Sequence, residues 1–436
     1  MTAVNGSHYP RLPLDKKIEE ETLPDYKAER YYPVHIGDIF NARYKVVAKL
    51  GFGTASTVWL CRDLETNQYQ TLKVGIAQKD SSEANNEVLV SRHISTVEGP
   101  HPGRQWVRPC LDDFVMESTQ GEHQCLVFRP MGMTLTEFRN MTPAKAFDKE
   151  LLQQTLQMVA VALDFLHQAE VVHTDLSPNN ILLGIDGNVE PSFLSDIEKA
   201  EIEFPSPRKE FPDRSIYVSQ GVSISHGGPA ITDFGAARIG ATHRGDVMPA
   251  VYRAPEVIFN MQWDFKIDTW AFGCMIFDLF EGGRLFRAVK DNVINDELHV
   301  AEMVSLMGPP PKEFLKRSPD CNRYWDSEGE LKHNISRDVW TNAGKGNWIA
   351  ETPIPQQSLE SRERRLEGTD KELLLDLLRK ILCWLPEERA SAYDIFEHGF
   401  ILQYLKQDDQ TGEVAGNGNG SSGSQAMSDT KTFPHS

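Results

Sequence analysis

Five side chains in this sequence are of the kinds that handle phosphate and protons. Asp175 and Asn180 lie in "HTDLSPNNIL", a run of small polar residues ahead of an apolar strand. Asp233 lies in "TDFG", before an apolar Phe and a flexible Gly. Asn180 and Asp233 offer hard oxygen ligands of the type Mg²⁺ takes when it bridges phosphates. Asp175, left free of metal, is then placed to accept a hydroxyl proton. Lys73 in "TLKV" puts an ammonium on a strand where it could reach phosphates. Its carboxylate partner would be Glu87 in the following helix or Glu83, one turn away on the same face. In "LGFGTASTVWL", Gly51 and Gly53 let backbone N–H groups approach phosphate oxygens with no Cβ in the way.

Taken singly, each fragment has an ordinary structural reading: a capped turn, a plain hairpin, a solvent-facing lysine. Their order along the chain is what chance does not supply.

The elements that must position these groups are readable from periodicity. "RYKVVAKL", "STVWLCRDL" and "YQTLKVGIA" are apolar or β-branched runs separated by turns, a strand meander, and "QCLVFRPMG" is a further strand. "SSEANNEVLVSRHIS" predicts a helix capped by its serines, with Glu in the first turn. "DKELLQQTLQMVAVALDFLHQ" carries Leu152, Leu156, Val159, Leu163 and Leu166 at helical spacing. "DTWAFGCMIFDLFEGG", "DELHVAEMVSLMGPPP" and "KELLLDLLRKIL" are further helices. A strand-rich first part and a helix-rich second part imply an α+β chain of two lobes. The small antiparallel-sheet lobe with one main helix spans 41–132, and the larger helical lobe spans 133–405. Residues 1–40 read as an extended arm and 406–436, rich in Gly, Ser and Asn, as a disordered tail. The segment from about 184 to 230 has Pro205, Pro207, Pro212 and many charges but little period; it reads as a surface insertion.

Bulk properties narrow the class. Lys plus Arg is 45 against 63 for Asp plus Glu, a net charge of −18 over 436 residues, which argues against direct nucleic-acid binding and leaves room for a basic partner. The six cysteines are scattered with no C-x-x-C pair, as in a reducing compartment. "WAFGCMIFDLF" is too short to span a membrane and contains Asp278.

The order Gly-loop, Lys73, Glu87, Asp175…Asn180, Asp-Phe-Gly, Ala-Pro-Glu resembles the protein kinase superfamily over about residues 44 to 402. The resemblance implies a bilobal kinase fold using ATP and Mg²⁺. Lys73 with Glu87 would hold the α- and β-phosphates, Asp175 would be the catalytic base, and Asn180 and Asp233 would bind Mg²⁺. The loop Leu50, Gly51, Phe52, Gly53, Ser56 and Val58 would cover the nucleotide, with Leu50 and Val58 roofing the adenine. Leu182 would floor it, and Phe128, Arg129 and Met131 would form the hinge. Glu256 would pair with Arg389, and Asp268 would brace the catalytic loop. "YYPVHIGDIFNARYKVVAKLGFGTASTVWLCRD", Ser56, Thr174 and the inserted segment are similar to the serine/arginine-rich protein kinases (SRPK) of the CMGC group, with "SPNN" looking like a fungal branch. That narrower resemblance implies serine/threonine specificity and Arg/Ser-rich protein substrates such as splicing factors. It also implies a monomer in cytoplasm and nucleus and an acidic docking groove around Asp291, Asp296, Glu297 and Glu302.

Ser177 departs from the pattern. It replaces the lysine that serine/threonine kinases set near the γ-phosphate, removing a cation from the transition-state cradle. A non-catalytic scaffold of the same fold would be expected to lose Lys73, Asp175, Asn180 or Asp233, and all four are present. "YRAPE", which in protein kinases builds the peptide platform, disfavours a small-molecule phosphotransferase.

Overall fold

The computed structural model describes residues 9–78, 85–185, 190–221, 227–326 and 348–404. Glu83, Ser81, Ser82 and the 406–436 tail lie outside the described residues.

The first lobe is a six-stranded antiparallel sheet. Its strands are β1 (Ile39–Phe40), β2 (Tyr44–Gly53), β3 (Ser56–Asp63), β4 (Tyr69–Gly75), β5 (Asp112–Ser118) and β6 (Gly121–Phe128), ordered β1-β2-β3-β4-β6-β5. One face of the sheet sends Val46, Trp59, Leu72, Val74 and Val127 into a buried cluster. The other face carries Lys73 toward helix α1 (Asn86–Thr96), which adds Val88 against Leu126 and Phe128. The helix starts later than its serines predicted: Asn85 is the cap, its side chain accepting from Glu87 N and Val88 N. Capping one residue before the helix satisfies two donors of the first turn and sets Glu87 on that turn.

After β6 the chain crosses to the larger lobe through α2 (Leu135–Met141), opened by a capping box of Thr134 and Glu137. In α3 (Lys149–Gln168) the residues at helical spacing, Leu152, Leu156, Val159, Leu163 and Leu166, are all buried. Two short strands follow, β7 (Val171–Val172) and β8 (Ile181–Leu183).

The inserted segment corrects its sequence reading. It forms α4 (Glu190–Glu203), β9 (Arg208–Glu210) and β10 (Ser215–Tyr217), and it packs on the sheet lobe instead of standing off as a surface loop. Leu194 is buried with Val47, Ala48, Leu60 and Tyr69, and Tyr217 joins the cluster on the outer face. Glu198 bonds Arg62 and the Tyr69 hydroxyl. The prolines fall in the connections before β9 and between β9 and β10.

The N-terminal arm closes over the same region. It is extended with two single-turn 3₁₀ helices, Glu19–Thr22 and Ala28–Arg30. Lys49 Nζ, 1% exposed, lies 2.5 Å from Glu20 Oε2 and donates to Tyr217 O at 3.1 Å. Lys209 Nζ meets Glu21 Oε2 at 2.7 Å, and Ser219 Oγ meets Glu19 Oε2 at 2.5 Å. Charges of the arm thus pair with the inserted segment and with β2 across long stretches of chain.

The rest of the large lobe runs through β11 (Pro229–Ile231), β12 (Arg238–Ile239), α5 (Pro255–Ile258), α6 (Lys266–Glu281), β13 (Val289–Lys290), β14 (Val293–Ile294) and α7 (Asp296–Met307). Helix α6 is buried from Ile267 to Phe280, as a helix apolar on every side must be. Among the described residues no helix is long and apolar enough to cross a membrane.

Candidate active site

The site forms where the sheet lobe meets β7, β8 and β11. Lys73 Nζ lies 2.8 Å from Glu87 Oε2 and 3.6 Å from Asp233 Oδ1. Of the two candidate partners, Glu87 makes this bond. Burial works against the ammonium, but the carboxylates of Glu87 and Asp233 outweigh it and hold Lys73 above its ordinary pKa. Asn86, next to Glu87, donates its side-chain amide to Phe234 O, Gly235 O and Ala237 O at 3.2, 3.1 and 2.8 Å. Helix α1 is thereby tied to the segment that carries Asp233.

Pairing of β8 with β11 brings Asn180 and Asp233 to adjacent strand ends. Thr232 N donates to Asn180 O at 2.9 Å. The Asn180 amide donates to Asp175 Oδ2 at 2.7 Å and to Asp175 O at 2.8 Å. With its N–H₂ committed to Asp175, Asn180 keeps its carbonyl oxygen for a cation. Asp233 has a side chain 48% exposed and adds a second hard donor, so the pair suits Mg²⁺ completed by phosphate and water. Burial raises the Asp175 carboxyl above its ordinary range, with Asn180 pulling the other way.

Asp268 underpins this loop, accepting from His173 N at 2.7 Å and Thr174 N at 2.8 Å. Thr174 and Asp233 hold φ of +66° and +64°, a conformation costly for side chains and maintained by the surrounding bonds. Thr174 Oγ1 donates to Ala236 O at 2.9 Å, so a backbone carbonyl satisfies this position. Ser177 is buried at the start of the single turn Pro178–Asn180.

The residues expected to face the nucleotide differ in exposure. Phe128 and Met131 are buried, Leu50, Gly51, Gly53, Val58 and Leu182 are partly covered, Ser56 is buried and Phe52 exposed. Arg129 contributes its carbonyl, which accepts from Arg108 Nε and the Arg108 terminal nitrogen at 2.9 and 2.7 Å. Two partners of the site had no sequence signal. Arg108 is one, its burial pushing its pKa down to about 9. Tyr31 is the other: this arm residue donates its hydroxyl to Gly53 O and Thr54 O at 3.1 Å, anchoring the glycine loop. Aromatic character in an arm without periodicity was the only available hint.

Behind the site, Arg389 meets both oxygens of Glu256 at 2.6 Å, all of it buried. Tyr252 OH donates to Asp278 Oδ2 at 2.6 Å.

The expected docking acids divide. Glu302 is buried and accepts from Arg287 N and Ala288 N, and Glu297 Oε1 accepts from Thr352 N at 2.6 Å, so both fasten the lobe together. Asp291 is exposed at the β13–β14 turn with φ of +52°, and Asp296 is partly covered at the start of α7. A continuous row of four free carboxylates is not formed.

The protein kinase domain model matches residues 44–202 and 216–401, the interruption falling inside the inserted segment. The chain belongs to the protein kinase family. A serine/threonine protein kinase of Aspergillus fumigatus is 38% identical over 403 residues, covering 91% of this chain and 94% of the relative. The serine/threonine-protein kinase SRPK of Physarum polycephalum is 30% identical, covering 88% and 91%. A solved kinase domain superposes with a TM-score of 0.63 at 23% identity, covering 85% of this chain and 99% of that domain, which speaks for the fold. This kinase is a serine/threonine protein kinase, and a protein kinase domain implies ATP and Mg²⁺.

Proposed function

We propose that this serine/threonine kinase is of the SRPK type, phosphorylating basic, Arg/Ser-rich proteins such as splicing factors with Asp175 as the catalytic base. The observation that carries the catalytic part is the 2.8 Å pair of Lys73 and Glu87 on a helix whose neighbouring Asn86 grips the Asp-Phe-Gly segment. The substrate part is supported by the Physarum relative and by Ser56, Thr174 and the inserted segment.

In this reading a substrate hydroxyl oxygen bonds to the γ-phosphorus as the bond to the β,γ-bridging oxygen breaks, and ADP leaves. Asp175 takes the hydroxyl proton. Its carboxylate is oriented by Asn180, and its raised pKa makes it a better proton acceptor than an ordinary aspartate. Lys73, held by Glu87, stabilises the phosphates that stay with ADP. Mg²⁺, held by Asn180 and Asp233, would offset phosphate charge as it develops.

Assay of the full chain against an Arg-Ser peptide and its Lys-Ser counterpart tests the substrate class. Arg forks pair with carboxylates in a way a lysine cannot copy, so the Arg peptide should be clearly preferred. Equal use of both peptides would end the SRPK-type reading and leave the kinase.

A further inference from the structure

A cleft of about 400 Å³ lies at the end of α6, away from the catalytic loop, lined by Phe277, Glu281, Arg284, Arg287, Arg362 and Arg364. Four guanidiniums face one carboxylate there, on a chain whose net charge is −18. Gly282, with φ of +69°, ends the helix and turns the chain back so that Arg284 and Arg287 return over it.

Arginines at a helix C-terminus have an ordinary explanation, since they satisfy its last carbonyls. One neighbour of the cleft does that work, and a second is committed to other partners. Arg365 donates to Phe280 O and Phe147 O, and Arg362 donates to Arg284 O at 2.8 Å and Gln357 at 3.0 Å while lying over the Phe277 ring. The other three are left over. Among the described residues, the guanidiniums of Arg284, Arg287 and Arg364 make no ion pair or hydrogen bond, and all three residues are exposed. Glu281 does not neutralise them by contact: its recorded bond is from Arg364 N. Burial lowers the Arg362 pKa; Glu302 and Glu281 pull it back up, and repulsion from Arg287 and Arg364 adds to the lowering. The cleft therefore gathers three guanidiniums that no ion pair or hydrogen bond among the described residues takes up.

Its position ties it to the peptide platform. Phe277 adjoins Asp278, which holds the Tyr252 hydroxyl just ahead of Ala-Pro-Glu. Arg284 acts electrostatically on both Asp278 and Tyr252.

We propose that this arginine cleft binds phosphoserine on a protein segment already phosphorylated, so that the kinase engages substrates carrying earlier phosphates. A phosphate dianion offers several acceptor oxygens to guanidinium forks, which an aspartate or glutamate matches only in part. The proposal rests on the kinase reading only for the source of the ligand, and its test needs no catalysis.

Fluorescence anisotropy at low salt, without ATP, would measure binding of a labelled Gly/Ala peptide bearing two phosphoserines to the full chain. Its Ser and Glu counterparts serve as controls, and inorganic phosphate as competitor. The triple variant Arg284→Ala, Arg287→Ala, Arg364→Ala should weaken phosphopeptide binding about tenfold or more, and the triple Lys variant less. Both should keep the wild-type Tm, which reports that they fold. Equal phosphopeptide affinity in wild type and the Ala variant would overturn the proposal, as would equally tight binding of the unphosphorylated peptide. Displacement by inorganic phosphate at concentrations equal to the peptide would show a bare anion site and overturn the peptide assignment. A chain that binds the phosphopeptide through these arginines yet lacks kinase activity would uphold the cleft and refute the catalytic reading.

Discussion

The catalytic loop and the clamp of arm and inserted segment are both built from charged side chains, but they use them in opposite ways. At the catalytic loop the charges are incompletely satisfied and reachable: Asp233 is about half exposed, and Asp175 is held by a neutral amide. In the clamp the charges are used up. Lys49, Glu20, Lys209 and Glu21 are paired with side chains 1%, 7%, 1% and 13% exposed. A buried charge that is fully paired holds structure, whereas one left partly open can exchange a proton or a ligand. Satisfaction, more than residue type, separates chemistry from scaffolding in this molecule.

The largest effect is expected at Asp175. Replacement by Ala should cut phosphoryl transfer by about 10²–10⁴-fold, the usual worth of a positioned base, while ATP still binds. Retained turnover would remove Asp175 from the chemistry. On the other side, Lys49→Ala should destabilise the sheet lobe by about 3–5 kcal/mol, because it strands the buried carboxylate of Glu20. Urea denaturation measures this, and a loss below about 1 kcal/mol would class the pair with weak surface bridges. Deleting the insertion from 190 to 221 should expose the same lysine, so the yield of soluble folded protein should collapse.

A smaller effect sharpens the functional side. As the proposed base, Asp175 would have to be ionised to accept a proton, and burial raises its pKa above the usual 3.8. Activity is therefore full above the raised pKa and falls as pH drops through it. The acid limb of kcat/KM should lie above the position expected of an ordinary aspartate; a limb at or below 3.8 would contradict the burial argument. The smallest effect joins the two regions. Tyr31→Phe removes the hydrogen bonds from the arm to the glycine loop, and should raise the KM for ATP by the few-fold equivalent of about 0.5–1.5 kcal/mol. An unchanged KM would mean the loop is positioned without the arm.

What could be read from sequence followed the range of the interactions. Asp175 and Asn180 sit in one loop, and the period of α3 is carried by its own residues, so spacing alone revealed both. Lys73 and Glu87 needed only one strand and one helix. The helix cap was misplaced because serines and asparagines share capping chemistry, and Asn85 is nearer the first apolar turn. Glu297 and Glu302 gave the signature of an acidic helix start; that Thr352, Arg287 and Ala288 would consume them was invisible from either residue's surroundings. The insertion was misread for the same reason. Its charges find partners at Glu21 and Arg62, its Tyr217 carbonyl accepts from Lys49, and no local pattern announces pairs so far apart in the chain.

That distance also shapes how the protein is made. The outer face of the sheet lobe is completed by Tyr217, and Lys49 is covered by a carbonyl from the same residue. During synthesis the strands of this sheet all leave the ribosome well before residue 217 does. Through that interval Trp59 and Val46 lack one of their covering partners, and Lys49 lacks one of its acceptors. Domains that fold as they emerge close early, whereas contacts of long sequence separation slow closure and leave apolar surface open to aggregation. The sheet lobe of this kinase is thus a late-closing unit, whose nascent form must be kept soluble until the insertion arrives to seal it.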